Sequence, residues 1–276
     1  MLIGDFEITL IRHSVYWWDG GAMFGVVPKT LWSRMMPADD LNRVEMGFNC
    51  YLIRTGEQTI LIETGLGDKR DARARERMRV PAVTEPLASL IDPDSVDIVV
   101  NSHLHWDHCS GNTVMRNGRA EPAFPRARYI ASRREWEHAH ERLIRDGVSY
   151  LDENYDPLVE LGQMTLVDGD FEVVPGVWMR HAPGHNRDMM VVTAESRGQT
   201  FCFLSDLVPT AAHVRPSWVT AFDLYPLQTI ETKLDWLAKA ADQNWICGFG
   251  HDPAVDFARI TRDAKTQFAA LNAFSP

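Results

Sequence analysis

The spacing of apolar and polar residues divides the chain into strand-like and helix-like segments. Short alternating or apolar runs bounded by turn residues predict strands, and apolar residues three and four apart predict helices. We predict strands at residues 6–12, 48–53, 59–63, 96–100, 127–130, 164–167, 171–174, 177–181, 189–194, 200–203 and 245–248. We predict helices at residues 85–91, 132–145 and 229–241, and a terminal helix that carries Arg259, Arg262 and Lys265. Two blocks of strands, each followed by helices, suit two packed sheets with helices outside.

One long segment, about residues 20–47, lacks regular periodicity but is unusually apolar. Its apolar residues are Met23, Phe24, Val26, Val27, Leu31, Trp32, Met35 and Met36. So much apolar surface requires a partner. This excursion could pack against the rest of the chain or against a second copy in a homodimer. It could also line the mouth of an active site, and both interpretations can hold. We expect residues 1–276 to form a single domain that includes this excursion.

Composition narrows the class of protein. The 276 residues are 45% hydrophobic and 24% charged, as in an ordinary globular protein, and the net charge is −10. A protein with a net negative charge is repelled by the negatively charged phosphates of nucleic acids, so we expect no nucleic-acid partner. No apolar run is long enough to span a membrane, and the N-terminus does not resemble a secretion signal. The four cysteines lack metal-type pair spacing, so we expect buried, reduced thiols in a cytoplasmic protein.

The strongest candidates for functional residues follow the strand predicted at 96–100. Three histidines and one aspartate occur within six positions, as His103, His105, Asp107 and His108. Imidazole and carboxylate groups are ligands that Zn²⁺, Fe²⁺ and Mn²⁺ accept. Residues two apart on an extended segment point the same way, so His103 and His105 can bind one ion. A following turn can then bring Asp107 and His108 to a second ion.

Two other polar segments have weaker functional signals. His138 and His140 lie two residues apart on a predicted helix, face different sides and therefore cannot share an ion, so we predict surface positions. Residues 69–79 are strongly basic, which indicates a solvated surface segment or, as the alternative, a segment that attracts anions.

The spacing His-Xaa-His-Xaa-Asp-His at residues 103–108 resembles the signature of the metallo-β-lactamase-fold hydrolases. Further similarities follow along the chain: His185 in a Pro-Gly-His turn, Asp206 at the end of an apolar strand, and His251 before Asp-Pro. Glu63 occupies the position of the aspartate in the family's Asp-Thr-Gly turn. The resemblance implies an α/β fold, an αβ/βα four-layer sandwich of two mixed β-sheets flanked by helices.

The resemblance also implies a metal centre with two divalent ions, zinc or alternatively iron, manganese or cobalt. The implied ligands of one ion are His103, His105 and His185, those of the other are Asp107, His108 and His251, and Asp206 bridges them. Glu63 would support the metal loop through hydrogen bonds, and His181 would either do the same or cap a strand. A hydroxide between the ions would attack a carbonyl or phosphoryl centre, and Asp107 would carry a proton to the leaving group.

Within the family, the chain most resembles the acyl-homoserine lactonase branch and its organophosphate-hydrolysing relatives. The points of similarity are the apolar excursion at 21–37, the segment 205–210 and the ending at 250–253. Lactonases of this branch have a tyrosine near the substrate carbonyl, where this chain has Pro209. His213 or Tyr225 could replace it, and Met23, Phe24 and Trp32 suit an apolar acyl group.

We therefore expect a hydrolase of small-molecule lactones or other carboxylic esters. The alternatives are a phosphotriester hydrolase, a thioesterase of the glyoxalase II type and, outside enzymes, a metal-binding sensor protein.

Overall fold

The computed structural model describes residues 1–81 and 87–273. The strands in the first part of the described chain are β1 (Leu2–Ile3), β2 (Phe6–Asp19), β3 (Arg43–Arg54), β4 (Thr59–Ile62), β5 (Ile98–Val100), β6 (Thr113–Arg116), β7 (Arg119–Pro122), β8 (Arg128–Ser132) and β9 (Met164–Val167). Those that follow are β10 (Phe171–Val174), β11 (Val177–His181), β12 (Met190–Ser196), β13 (Gln199–Phe203), β14 (Ile246–Gly248), β15 (Ala258–Asp263) and β16 (Gln267–Asn272). The helices are α1 (Gly20–Phe24), α2 (Lys29–Trp32), α3 (Ala72–Arg77), α4 (Leu87–Leu90), α5 (Trp106–Cys109), α6 (Arg133–Glu141), α7 (Asp156–Glu160) and α8 (Pro226–Asp242).

The chain divides into two compact units. The first contains Met1–Ser14 and Phe48–Phe171, and the second contains Val15–Gly47 and Glu172–Pro276. The expectation of a single domain over residues 1–276 stays a prediction. No helix in the described ranges is long and apolar enough to cross a membrane.

The sheet of the first unit places two strand ends side by side. Its strand order is β1-β2-β3-β4-β5-β8-β9, and β4, β5, β8 and β9 run parallel to one another. The central strands β4 and β5 are almost continuously apolar and buried, as parallel strands covered on both faces require. Ile62 pairs with Val100, so Glu63 and Asn101 follow neighbouring strand ends at one edge of this sheet.

The sheet of the second unit brings two other strand ends together. Its order is β10-β11-β12-β13-β14-β15-β16, and β13 and β14 form a parallel pair in which Phe203 lies opposite Gly248. The connection between them contains α8, which packs against β15 and buries Trp236 and Leu237 in the unit's core. Because the two strands run in register, Asp206 and His251 each follow three residues after a paired strand end.

The terminal helix predicted from the sequence is wrong. Residues 258–272 form the β15–β16 hairpin, in which Ile260 and Phe268 are buried. Asp263 fixes the turn, because its Oδ1 accepts hydrogen bonds from the backbone N–H groups of Lys265 and Thr266 at 2.9 and 2.7 Å. The alternation of buried and exposed side chains along Ala258–Asp263 is that of a strand.

The helix predicted at 132–145 begins as expected but ends early. Ser132 caps α6 by accepting a hydrogen bond from the N–H of Glu135, and the helix ends at Glu141. His140 is exposed as predicted, but His138 is buried, so its predicted surface position is wrong. Its Nε2 lies 2.7 Å from Asp146 Oδ2, and that hydrogen bond allows a polar ring to be buried. Of the helix predicted at 85–91, Leu87–Leu90 form α4, while residues 85 and 86 lie outside the described residues.

The apolar excursion lies in the second unit and is largely packed there. Phe24 stacks on Trp32 with ring centroids 4.9 Å apart, and Met23 beside it is also buried. Other apolar side chains of this segment remain exposed: Val26, Leu31, Met35 and Leu41. The four cysteines, Cys50, Cys109, Cys202 and Cys247, are free and buried.

Candidate metal centre

The first group of candidate ligands lies on the turn after β5. His103, His105 and His108 are buried, and the ring centroid of His103 lies 4.6 Å from that of His105 and 4.0 Å from that of His108. The short helix α5 begins after His105, so Asp107 and His108 lie on its first turn. Such close packing of buried imidazoles places several nitrogen lone pairs in one small volume.

Glu63 holds this turn from the neighbouring strand end. Its Oε1 accepts a hydrogen bond from the Ser102 N–H at 3.0 Å and lies 3.6 Å from His108 Nδ1. Its Oε2 accepts a hydrogen bond from the Asn101 side chain at 3.4 Å. Glu63 and two of the histidines, His103 and His108, could also hold an ion, since one donor atom from each lies within 4.8 Å of the others. The hydrogen bonds of the carboxylate favour a supporting role over direct ligation.

The backbone of Glu63 is unusual. Its φ of 61° lies in the left-handed region, which is uncommon for a residue with a side chain. The next residue, Thr64, donates its hydroxyl to Asn112 Oδ1 at 2.9 Å, and Asn112 in turn donates its amide to Asn101 Oδ1 at 2.8 Å. This network fixes the residues that follow β4 and β5, and nothing in the sequence pattern indicates it.

A second carboxylate supports the histidine turn from α6. Glu135 Oε1 accepts a hydrogen bond from the Leu104 N–H at 3.0 Å and another from the Tyr150 hydroxyl at 3.0 Å. Ser132 and Glu135 form a capping box in the sequence, where the glutamate would bond back to the start of its helix. In the structure, the Glu135 carboxylate binds the loop between His103 and His105 instead.

The second group of candidate ligands surrounds Asp206. Its Oδ2 lies 3.3 Å from His185 Nε2, and its Oδ1 lies 3.1 Å from His251 Nε2. All three side chains are buried. Each carboxylate oxygen therefore faces a different histidine, an arrangement that suits a carboxylate shared between two cations.

The other ring nitrogens of these histidines are held by oxygen atoms. His185 Nδ1 lies 2.9 Å from Asp223 Oδ1, and both side chains are almost fully buried. His251 Nδ1 lies 3.0 Å from the Gly47 carbonyl oxygen and 3.2 Å from the Tyr16 hydroxyl. A proton on Nδ1 satisfies these oxygens, so the Nε2 lone pair is left for a cation.

Further hydrogen bonds, one between backbone groups and one between side chains, hold the segments that carry Asp223 and His185. Leu224 N–H donates to the His185 carbonyl at 2.9 Å, and Thr220 donates its hydroxyl to Asp223 Oδ1 at 2.9 Å. Gly184 has a φ of 146°, and a Cβ there would meet backbone and side-chain atoms of Thr229 at 2.5 Å. The Pro-Gly-His turn is therefore restricted to glycine at this position. No sequence pattern around Asp223 indicates that this residue contacts His185.

The residues predicted to contact substrate through apolar groups lie in the core. Met23, Phe24 and Trp32 are buried, as is His213, which stacks on Phe24 with centroids 4.6 Å apart. Both ring nitrogens of His213 have partners, Thr210 Oγ1 at 2.7 Å and the Met23 carbonyl oxygen at 2.9 Å. Burial, with the positive charge of Lys233 nearby, lowers the pKa of His213 to about 4, so its ring is neutral. The prediction that these four residues contact substrate stays a prediction.

Tyr225 and His181, also singled out from the sequence, lie near the surface. Tyr225 is exposed, and its hydroxyl accepts a hydrogen bond from the Arg187 guanidinium at 3.1 Å. His181 ends β11, and its Nε2 lies 3.0 Å from the Arg187 carbonyl oxygen and 3.6 Å from Asp188 Oδ1. These contacts favour a role for His181 in the turn after its strand.

The donors in both groups fit divalent transition-metal ions. Each group combines buried imidazole nitrogens with a carboxylate, the ligand set that such ions prefer. Close approach of an imidazole lone pair to a buried carboxylate, as at Asp206, is favourable when a cation lies between them. Two mixed sheets whose strand ends carry these donors define a metal-binding α/β protein.

Residues 46–251 match the family model of the metallo-beta-lactamase superfamily, and the chain belongs to that family. The family and the fold class predicted from the sequence are therefore confirmed. The predicted class of enzyme, a metal-dependent hydrolase, is confirmed at the level of the family.

Individual relatives point to one branch. An N-acyl homoserine lactonase from a Bacillus species is 29% identical over 164 residues, 53% of this chain and 59% of the relative. The lactonase AiiA of Bacillus thuringiensis subsp. kurstaki is 30% identical over 151 residues, 50% of this chain and 54% of the relative. The chain thus spans just over half the length of the curated relatives it matches.

Solved structures give matches over the whole chain. A probable metal-dependent hydrolase from Staphylococcus aureus has a TM-score of 0.90 and 31% identity, with full coverage of both chains. AidC, a dizinc quorum-quenching lactonase solved with the product N-hexanoyl-L-homoserine, has a TM-score of 0.76 and 16% identity, covering 100% of this chain and 97% of its own. At that identity the similarity to AidC shows the fold alone.

Proposed function

We propose that the protein is a dinuclear metal-dependent hydrolase of lactones or other carboxylic esters. The observation that carries the proposal is the Asp206 carboxylate, whose two oxygens face His185 and His251 separately. A site for a single ion does not require a carboxylate with both oxygens directed at different ligands. The N-acyl homoserine lactonases among the relatives support the choice of substrate class.

In this proposal each ion takes ligands from both groups. His103, His105 and His185 bind one ion, Asp107, His108 and His251 bind the other, and Asp206 bridges them. Zinc is the proposed metal, and iron, manganese and cobalt suit the same donors. Glu63 orients the histidine turn through Ser102 and Asn101, and Asp223 orients His185.

When bound, such ions supply Lewis acidity and a nucleophilic water at neutral pH. The chain supplies orientation and proton transfer. Asp107 lies half-buried on the first turn of α5, and we assign it the transfer of a proton to the leaving alkoxide. The buried hydrogen bonds to His103, His185 and His251 hold the imidazole rings in fixed orientations, so little reorganisation precedes reaction.

Exposed apolar residues and buried cysteine thiols support the proposed partners and location. The substrate is a small molecule, with no nucleic-acid or membrane partner. The exposed apolar residues Val26, Leu31, Met35 and Leu41 support a homodimer in which a second copy covers them. Free, buried cysteines support a cytoplasmic location.

The test is turnover of a substrate panel by protein reconstituted with each metal. We expect hydrolysis of N-acyl homoserine lactones or aryl esters to exceed that of paraoxon-like triesters and thioesters. Preference for a triester or a thioester would assign the corresponding alternative hydrolase. No turnover of any of these substrates by fully metallated protein would overturn the proposal and favour a metal-binding sensor.

Two variants, each checked for bound metal by elemental analysis, test metal binding and proton transfer. His105→Ala should lose metal and activity together, whereas the exposed His140→Ala should lose neither. Asp107→Asn should lower kcat by about 100-fold or more, the usual range for general acid–base groups. If Asp107→Asn retained wild-type kcat, its assignment as proton carrier would be wrong.

A further inference from the structure

Arg70 is a half-buried cation that lies over an aromatic ring. Its guanidinium carbon lies 4.2 Å from the centroid of the Trp106 ring, in a cation–π arrangement. No described residue makes a hydrogen bond or an ion pair with it, and its Nε is buried. Buried arginines are normally paired, because leaving their donors unsatisfied is costly.

The loop before Arg70 fixes where this cation lies. The Lys69 ammonium donates hydrogen bonds to the Ser110 carbonyl, to the Thr113 carbonyl at 2.7 Å and to the Thr113 hydroxyl at 2.9 Å. Gly67 has a φ of 64°, and a Cβ there would meet the Ser110 carbonyl oxygen at 2.4 Å. Arg70 therefore follows Lys69, whose side chain is fixed by hydrogen bonds, and is held over Trp106 instead of extending into solvent.

The position of Arg70 relates it to the first ligand group. Trp106 is the residue before Asp107 on α5, and the electrostatic attraction of Asp107 acts on the Arg70 charge. Burial lowers the pKa of Arg70, but a guanidinium remains protonated in proteins. A fixed positive charge thus lies over Trp106, the residue that precedes the one to which we assign proton transfer.

The charge distribution also singles out this region. Residues 69–79 carry six basic and two acidic residues, a net charge of +4 in a chain whose net charge is −10. An anion approaching the protein is repelled by the whole and attracted by this segment.

We propose that Arg70 is a specificity-determining residue that binds a carboxylate carried by the ester substrate away from the scissile bond. This inference rests on the proposed function and narrows its substrate class to esters or lactones with an anionic group. The planar guanidinium presents paired N–H donors that match the two oxygens of a carboxylate. A phosphate offers similar oxygens, so the test must distinguish the two anions.

Matched esters give the first test. Mono-4-nitrophenyl glutarate and 4-nitrophenyl pentanoate have the same leaving group and acyl length but differ in the terminal carboxylate. In Arg70→Met, we expect the ratio of kcat/KM for the anionic to that for the neutral ester to fall at least tenfold, through KM. Arg70→Lys should lose less, because it keeps the charge but not the paired donors. The exposed Arg73→Met, in the same basic segment, should leave the ratio unchanged.

Equal losses for both esters, or no change in the ratio, would overturn the inference. A drop in the ratio for Arg73→Met as large as that for Arg70→Met would also overturn it, because general attraction would then explain the preference.

Calorimetric titration of the metallated protein gives a readout that does not need turnover. Glutarate should bind at least tenfold more tightly than pentanoate to the wild type, and this advantage should disappear in Arg70→Met. An advantage that survives in Arg70→Met excludes the role of Arg70. Tighter binding of inorganic phosphate than of glutarate, dependent on Arg70, overturns the assignment of a carboxylate. If the wild type hydrolyses neither these two esters nor any lactone or ester of the panel, the proposed function fails while the titration still decides the role of Arg70.

Discussion

The hydrogen bond between Asp223 and His185 allows a direct test of how the second group is preorganised. Asp223→Asn keeps the size of the side chain and an oxygen that can accept from His185 Nδ1, but removes a negative charge at 2.9 Å from the ring. Both partners are almost fully buried, so solvent does not screen the loss. The imidazole then donates less electron density through Nε2, and the affinity for metal should fall.

The magnitude follows from the kind of hydrogen bond. A bond to a charged partner contributes about 1.5–3 kcal/mol and a neutral bond about 0.5–1.5 kcal/mol. The difference of about 1–1.5 kcal/mol predicts a loss of metal affinity of roughly tenfold for Asp223→Asn. Asp223→Ala leaves the Nδ1 proton without its acceptor, and the loss should approach 100-fold.

The assay is competition with a chromophoric chelator, with metal content checked by elemental analysis. Asp235→Asn, an exposed substitution on α8, is the control and should bind metal like the wild type. Urea unfolding of the metal-free proteins tests whether Asp223→Asn leaves the fold intact. Wild-type affinity in both Asp223 variants would refute the reasoning, since the ring would then need no carboxylate to orient it.

Other predictions concern stability. Lys233 is fully buried and its pKa is lowered to about 7 by burial, below its ordinary value of 10.5. Between these values the unfolded chain binds more protons, so the contribution of Lys233 to stability should rise by about 1.4 kcal/mol per pH unit. Urea unfolding at pH 7 and 8.5 should show this rise in the wild type relative to Lys233→Met, and equal pH dependence would contradict it. Gly111→Ala places a Cβ 2.2 Å from the Thr64 carbonyl oxygen and should lower the free energy of unfolding by about 1–3 kcal/mol, whereas an unchanged urea midpoint would show that the turn can adjust. Removal of metal by EDTA should lower the melting temperature of the wild type, and much less that of His105→Ala, because bound ligand stabilises the folded state; an equal drop in both would argue against His105 as a ligand.

The sequence predicted the parts of the protein that carry strong local signals. The histidine motif at 103–108 follows a buried strand, as expected, and the helix predicted at 229–241 is present within α8. These signals are reliable because strand ends, helical periodicity and metal-ligand spacing each depend on a few neighbouring residues.

Predictions failed where neighbouring residues in the sequence do not determine the structure. Ala258–Asp263 is brief and contains basic residues at exposed positions, so its alternation was mistaken for one face of a helix. His138 lies in the core because Asp146, eight residues away, accepts its hydrogen bond. Asp223 forms a hydrogen bond with His185, which lies 38 residues away in the chain, and no local sequence pattern predicts a contact at that distance.

The loop that carries His251 has a further consequence. Asp252 accepts hydrogen bonds from the N–H groups of Ala211, Ala254 and Val255 at 2.8, 2.9 and 2.7 Å, and the His251 N–H donates to the Pro209 carbonyl at 2.9 Å. These bonds do not involve the imidazole, so the loop keeps its shape whichever cation occupies the site. In the metal centre that we propose, exchange of one metal for another would then require no refolding of this loop.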